Sequence, residues 1–335
     1  MSDDRKSIVV IGGGSGSSAA LRGLKKYDVD LTVIVTMFDS GGSTGILREE
    51  FGYPPFGDIR QCLVALSPEE DEQVSVLNRA LDFRFDSGSS LQGHSVGNLV
   101  LAALTTAYNG IQGAIDELSR MMHLRGQVVP VTLNEAHLCA RLVDGTIIRT
   151  ESAIDLRGNN GPGISEVFLD ADVKANPRAL EAINKADAIL LGPGDLYTSV
   201  VPNLLVEEVS AAIRETKSPV IYACNLMTKL GETAGYGTSI FASEVARYLG
   251  GRKLDHLLVN DPQFSPEVLS VYEAEDASPV ELDNGEAEKF AHEIIVGDLA
   301  FIDGLTVRHH SGRLAAIVMA AIDQPTAKPI GTGLD

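Results

Sequence analysis

The chain has no tryptophan, only three cysteines, and aromatic residues at 5% of its 335 positions. Cys62, Cys139 and Cys224 are scattered, odd in number and form no C-x-x-C pair. That excludes a disulfide framework and the usual zinc spacings, and leaves each as a small apolar core residue. Long apolar runs are missing too: AILLG at 188–192 and LAAIVMAAI at 314–322 fall far short of the ~20 residues a membrane span needs. The opening MSDDRKSIVV enters a strand after a few charged residues and carries no signal-peptide core, so the expectation is a cytoplasmic protein. Basic residues are scarce, 27 against 46 acidic, and the net charge of −19 disfavours nucleic acid and anionic membranes as partners. A small anionic ligand stays open, because helix N-termini and a few arginines set the local field. No Ser/His/Asp or Cys/His triad and no Walker G-K-[ST] is legible, and His309-His310, in a polar segment, reads as solvated rather than as a metal pair.

What is present is a hydrophobic content of 44%, enough for a sizeable core, and an alternation of strand and helix patterns. Apolar IVVI at 8–11, an amphipathic stretch at 17–27 and LTVIVTMF at 31–38 predict parallel strands covered on both faces. Asp58 stands where an N-cap belongs, ahead of Ile59, Cys62, Leu63 and Leu66 at helical spacing, which leaves Arg60 in the first turn off the buried stripe. The segment 97–108 is apolar nearly all round, which predicts a helix buried on most sides, and 111–123 reads as an amphipathic helix. Around 126–170, GQVVPVTL, HLCARLV, an Asp144-Gly145 turn and TIIRTES predict a hairpin within a β-rich insertion or an extension of the sheet. Alternation resumes with a helix capped by Asn176-Pro177, strands at 188–191, 218–225 and 254–260, and helices near Pro202 and over 238–249. The expected fold is an α/β, three-layer α/β/α Rossmann-like core over 1–260 with a mainly parallel sheet. Residues 261–335 form a C-terminal appendage, flexible after about 324.

Glycine clusters punctuate the strand ends. Gly12, Gly13, Gly14, Ser15 and Gly16 lie between a strand and a helix, where free N–H groups and the helix dipole suit a phosphate. They partly match a dinucleotide fingerprint, although a tight turn also uses glycine. Asp39 ends the second strand and is followed at once by Ser40, Gly41, Gly42 and Ser43, a second glycine loop that a nicotinamide-binding domain does not need. A nicotinamide oxidoreductase is disfavoured further by the lack of an evident proton donor. Asp39 is also open to reading as a turn carboxylate, Asp58 as a plain cap and His94 as a core histidine. Asp58, Arg60, His94 and Asn98 nevertheless cluster at helix starts, where α/β folds place ligands. Downstream, Gly194, Asp195, Tyr197, Thr198 and Ser199 follow a sharp turn with a carboxylate and hydroxyls, more polarity than turning requires. Asn225 and Lys229 follow the next strand end.

Taken in order, IGGGSG, DSGGSTG, PPFGDIR, GHSVGN, RGQVVPVTL, GPGDLYTSVVPNLL and CNLMTKLGETAGY resemble the CofD-like family, and within it the YvcK branch of gluconeogenesis factors. The resemblance runs from about 8 to 260 and extends to DLAFIDGLTVRHHSGRLA. It implies one of two functions. YvcK-like members bind UDP-sugars, notably UDP-N-acetylglucosamine, and control carbon use, cell-wall synthesis and cell shape. The founding branch transfers 2-phospho-L-lactate from a nucleotide diphosphate-linked donor with magnesium. The transferase pattern lacks GDIR and GHSVGN, so the regulator is favoured. On that reading the loops 12–16 and 194–199 hold a diphosphate, with Asn225 and Asp39 on ribose, base or sugar hydroxyls. On the transferase reading Asp39, Asp58 and His94 are the catalytic candidates and Asp39 a magnesium ligand. The resemblance also implies a homodimer.

Overall fold

Strands whose side chains are buried on both faces can form only the middle of a helix-covered sheet, and the apolar runs do this. In the computed structural model, which describes residues 5–323 except 87, 89, 90, 159, 160, 262 and 284, they run as β1 (Lys6–Gly12), β2 (Val29–Val35), β3 (Gln127–Pro130), β4 (Leu138–Leu142), β5 (Ile147–Arg149), β6 (Ile164–Leu169), β7 (Ala188–Leu191), β8 (Val220–Ala223), β9 (Leu254–Asn260), β10 (Ala291–Gly297), β11 (Ala300–Asp303) and β12 (Thr306–His309). Among the described residues a seven-stranded sheet has the order β10-β9-β8-β7-β1-β2-β3, and every neighbouring pair is parallel.

The helices are α1 (Gly14–Leu24), α2 (Gly42–Phe51), α3 (Gly57–Leu66), α4 (Glu72–Asp82), α5 (Val96–Ala107), α6 (Ile111–Met121), α7 (Glu151–Asp155), α8 (Pro177–Lys185), α9 (Val201–Leu204), α10 (Glu207–Glu215), α11 (Thr238–Tyr248), α12 (Pro266–Glu273) and α13 (Ser311–Asp323). They flank the sheet as the outer layers of an α/β/α fold. On one side α1 packs on α3 and α13. Gly23 permits the α13 contact, since a Cβ there would lie 2.0 Å from the Ser311 carbonyl oxygen. The chain leaves β1 for β2 on one side and returns to β7 on the other, so a crevice opens between the C-terminal ends of β1 and β7, where open α/β sheets bind ligands.

Several expectations change. The β-rich stretch divides: β3 is the edge of the parallel sheet, and only β5-β4-β6 make a separate antiparallel sheet. Beyond 260, β10 extends the main sheet and β11-β12 form a hairpin, while the tail after 323 lies outside the described residues. Helix α5 buries one face through Gly97, Asn98, Leu101 and Ala102 but exposes Ala103, Thr106 and Ala107. Its apolar outer residues are alanines and threonines small enough to face water at little cost. No helix among the described residues is long and apolar enough to cross a membrane.

Candidate functional site

The two loops at the crevice are locked together by backbone contacts that only glycine allows. The Gly192 N–H donates to the Ile11 carbonyl at 2.8 Å, and a Cβ on Gly16 would lie 2.4 Å from the Pro193 carbonyl oxygen. Helix α1 starts at Gly14 with no side-chain cap from residue 13 and no acidic residue in its own first turn, and residues 13–16 at its N-terminus line the crevice. Asn203 clamps the far loop from behind, donating to the Ser199 carbonyl at 2.8 Å and the Gly12 carbonyl at 3.4 Å.

The crevice has a volume of about 1470 Å3. Of the residues expected from sequence, Gly13, Gly14, Ser15, Gly16, Gly194, Asp195, Ser199, Asn225 and Lys229 line it. Cationic groups on its wall are Arg22, Lys26, Arg157 and Arg308 besides Lys229. His309 and His310 also line it and are not freely solvated: the hairpin folds back over the core, and His309 Nε2 lies 3.2 Å from the Cys224 carbonyl oxygen. Burial pushes the His309 imidazole down to about 4.

Other expected residues stand behind this wall. The DSGGSTG stretch is a loop only as far as Gly41; Gly42 to Gly45 are the first turn of α2. Asp39 accepts the Gly41 N–H at 2.8 Å, and Ser43 Oγ joins His94 Nδ1 at 2.8 Å and Asn98 Nδ2 at 3.2 Å in a buried network. This network anchors α2 to α5, so His94 and Asn98 brace the site rather than line it. Ser40 docks on α7, its N–H donating to Glu151 Oε2 at 3.2 Å and its hydroxyl to Ser152 Oγ at 3.1 Å. Arg60 is buried, not off the stripe, and its guanidinium pairs with Asp82, which itself lines the crevice. Tyr197 is buried with its hydroxyl 3.0 Å from Glu244 Oε2 and 3.1 Å from the Tyr236 hydroxyl, and Thr198 turns to Glu232. Both lie on a π-helical turn, Leu196–Val200, whose wide backbone aims them into the core.

Asp58 is not the cap of α3; that position is Phe56, and Asp58 sits in the first turn. There its carboxylate reaches under the first glycine loop to accept the Gly14 N–H, which is why residue 13 is glycine: a Cβ would lie 2.3 Å from Asp58 Oδ2. Burial, reinforced by the charge of Asp39, pushes the Asp58 carboxyl up to about 7. Glu151, which its sequence context assigns to a strand end but which opens α7, is pushed up to about 8 by burial and by Asp39. Asp39 is raised by its own burial. Burial and mutual repulsion therefore favour the protonated form of each of these carboxyls.

A second acidic group surrounds a lysine, and burial still pushes its Glu232 carboxyl up to about 7. Ligand atoms of Asp155, Asp195 and Glu232 lie within 4.8 Å of one another, a spacing that could hold a metal ion. The Lys229 ammonium, however, pairs with Asp155, with Asp195 at 2.7 Å and with Glu232 at 3.0 Å. Burial opposes that charge, yet Glu232 and Asp195 more than offset it and hold the ammonium above its usual value. A magnesium ion bound among Asp155, Asp195 and Glu232 would have to displace the Lys229 ammonium, which already answers their charge. Glu151, Asp155 and Arg157, from a segment with no motif of its own, were not legible as site residues.

Known proteins agree with this architecture. Residues 8–300 match the family described as 2-phospho-L-lactate transferase CofD. The gluconeogenesis factor of Bacillus subtilis is 36% identical over 94% of this chain and 98% of its own length, and that of Halalkalibacterium halodurans is 39% identical over 94% and 96%. Crystal structures of a Bacillus halodurans protein, one of them described as a member of the UPF0052 family, superpose with TM-scores of 0.89 and 0.88 at 38% identity, covering 94% of this chain and 100% of theirs. The chain belongs to the CofD family, on the side of its YvcK-like gluconeogenesis factors.

Proposed function

We propose that the protein is a cytoplasmic regulator that binds a nucleotide sugar of the UDP-N-acetylglucosamine type and acts on carbon metabolism, cell-wall synthesis and cell shape. The observation that carries this reading is the N-terminus of α1, which lines a crevice of about 1470 Å3 together with Gly194, Asp195 and Ser199 of the second loop. That volume exceeds the roughly 300–1,000 Å3 of ordinary small-ligand pockets and leaves room for a sugar beyond a nucleoside diphosphate. The diphosphate lies at residues 13–16, with Lys229 and Arg157 among the cationic groups of the same crevice to answer it. Binding favours one conformer of the loops that Lys229 ties together, and the difference in affinity between conformers is the signal. The protein acts as a homodimer, a reading supported by the half-exposed Val76 and Phe83 on α4 and its end.

The match to the CofD transferase family supports a second reading, a magnesium-dependent phospholactyl transferase, in which Asp58 and Asp39 would hold the metal and the ion would supply counter-charge to the phosphates. Thermal stabilisation by UDP-N-acetylglucosamine, GDP and NAD, each with and without magnesium, separates the readings. A ligand at a hundred times its dissociation constant contributes about 2.7 kcal/mol. The UDP-sugar is expected to stabilise the protein; stabilisation by GDP with magnesium and not by the UDP-sugar sinks the regulator in favour of the transferase.

A further inference from the structure

A smaller pocket of about 160 Å3, sharing no lining residue with the crevice, opens beside the C-terminal ends of β2 and β3. Met37, Tyr53, Pro54, Pro55 and Leu133 give it apolar walls, and Arg48 of α2 supplies a positive charge. The volume is close to that of a cavity that admits one benzene-sized molecule, so an occupant has about six heavy atoms.

The walls are braced before anything enters. The Tyr53 ring has Phe51 and Phe56 as neighbours, with centroids 6.2 and 5.9 Å away, and its hydroxyl lies 2.7 Å from Thr106 Oγ1. The two prolines that follow fix their own backbone angles. The loop after β3 is pinned as well: Thr132 Oγ1 donates to the Lys174 carbonyl at 2.6 Å and accepts the Asn134 N–H at 3.1 Å. The Lys174 N–H in turn donates to Asn134 Oδ1 at 2.8 Å.

Arg48 is the group on this wall whose bonding is incomplete. Its guanidinium donates to the Ala136 carbonyl and, at 3.5 Å, to the Asp39 carbonyl. Both acceptors are neutral, and among the described residues no carboxylate lies within ion-pair distance of it. A guanidinium has five donors, so three remain for water or a ligand. Burial holds the group below its usual value, and Glu135, Asp170 and Asp39 only partly offset this. A half-buried cation beside apolar walls is answered by a ligand that brings one negative charge and an apolar body. A carboxylate also matches the planar fork of arginine, whereas inorganic phosphate brings nothing to set against the apolar walls.

We propose that this pocket is a second ligand site, separate from the crevice, that takes a small organic monocarboxylate with a short apolar chain. The carboxylate binds the Arg48 guanidinium and the chain lies against Tyr53, Pro54 and Leu133. Arg48 joins the segments that follow β2 and β3 through the Asp39 and Ala136 carbonyls, so an occupant that fixes the guanidinium fixes both.

The test uses butanoate, which has six heavy atoms and one carboxylate, and its neutral isostere butanamide, read by saturation-transfer NMR on the full chain. Butanoate is expected to bind with a dissociation constant of about 1 mM, and butanamide about five- to tenfold more weakly, since it brings no charge to the guanidinium. Arg48→Met is expected to abolish the butanoate signal. That variant also loses two structural tethers, so two exposed positions on the pocket wall serve beside it. Glu135→Gln removes a repelling carboxylate and is expected to tighten butanoate about two- to fivefold while leaving butanamide unchanged. Leu133→Asp, at a residue 51% exposed, is expected to weaken butanoate by about as much. The proposal is overturned by the absence of a butanoate signal from wild type at about ten times the expected dissociation constant. Butanamide binding as tightly as butanoate, or inorganic phosphate displacing butanoate at equal concentration, also overturns it. A butanoate affinity that Glu135→Gln and Leu133→Asp leave unchanged does the same, because the anion then sits on the cations of the crevice.

Discussion

Asp58→Asn probes the charge imbalance beneath the first glycine loop. The Asp58 carboxyl is pushed from 3.8 up to about 7 by burial and by Asp39. A carboxyl that holds its proton more tightly in the folded than in the unfolded chain contributes stability that is complete below the unfolded value and lost as pH rises through the folded one. The interval from about pH 4 to pH 7, at 1.36 kcal/mol per pH unit, sets a ceiling of about 4 kcal/mol on that loss. Asp39 shares the effect, so the part removed by one substitution is smaller, about 2–3 kcal/mol. The asparagine side chain keeps an oxygen to accept the Gly14 N–H and has no proton to release. Urea denaturation of both proteins in steps from pH 4.5 to 8 reads this contribution together with the change it induces in Asp39 and Glu151, because groups not coupled to Asp58 cancel in the difference. The variant is expected to gain on wild type steadily as pH rises and to level off above pH 7. A difference that stays constant, or in which wild type gains with pH, refutes the assignment of a carboxyl raised by burial and by Asp39.

Lys229→Met leaves Asp155, Asp195 and Glu232 facing one another without their cation and is expected to cost about 3 kcal/mol of unfolding free energy, partly recovered by adding Glu232→Gln. A wild-type urea midpoint for the single variant counts against the lysine as the cation of this triad. Tyr197→Phe removes a hydroxyl shared with Glu244 and Tyr236, lowering stability by about 1 kcal/mol while leaving nucleotide affinity intact. Binding weakened tenfold in calorimetry returns Tyr197 to the site.

Much of the scaffold is written locally. The strand LDHLLVN at 254–260, the cap of α8, where Asn176 accepts the Arg178 N–H, and the buried stripe of α6 follow from apolar period and capping chemistry, which act over a few residues. The sequence alone also determined that glycine loops end two strands of a parallel sheet and that the chain belongs among CofD-like proteins. It did not settle that β3 and β10 are the edges of one sheet, because β3 is only four residues long, β10 is half exposed, and a strand's partner in a parallel sheet is distant in the chain. Nor could it tell lining residues from bracing ones. The hydroxyls of Tyr197 and Ser199 are two positions apart, yet one points into the core and the other into the crevice, because a π-helical turn rotates them. The same limit hid Glu151 and Asp155, which join Asp39, Asp195 and Glu232 only after α7 folds across from a separate sheet. Loop composition and periodicity are properties of neighbours in sequence and set where a ligand can bind. The balance of charge at that place is a sum over groups far apart in the chain, and only the tertiary structure performs that sum.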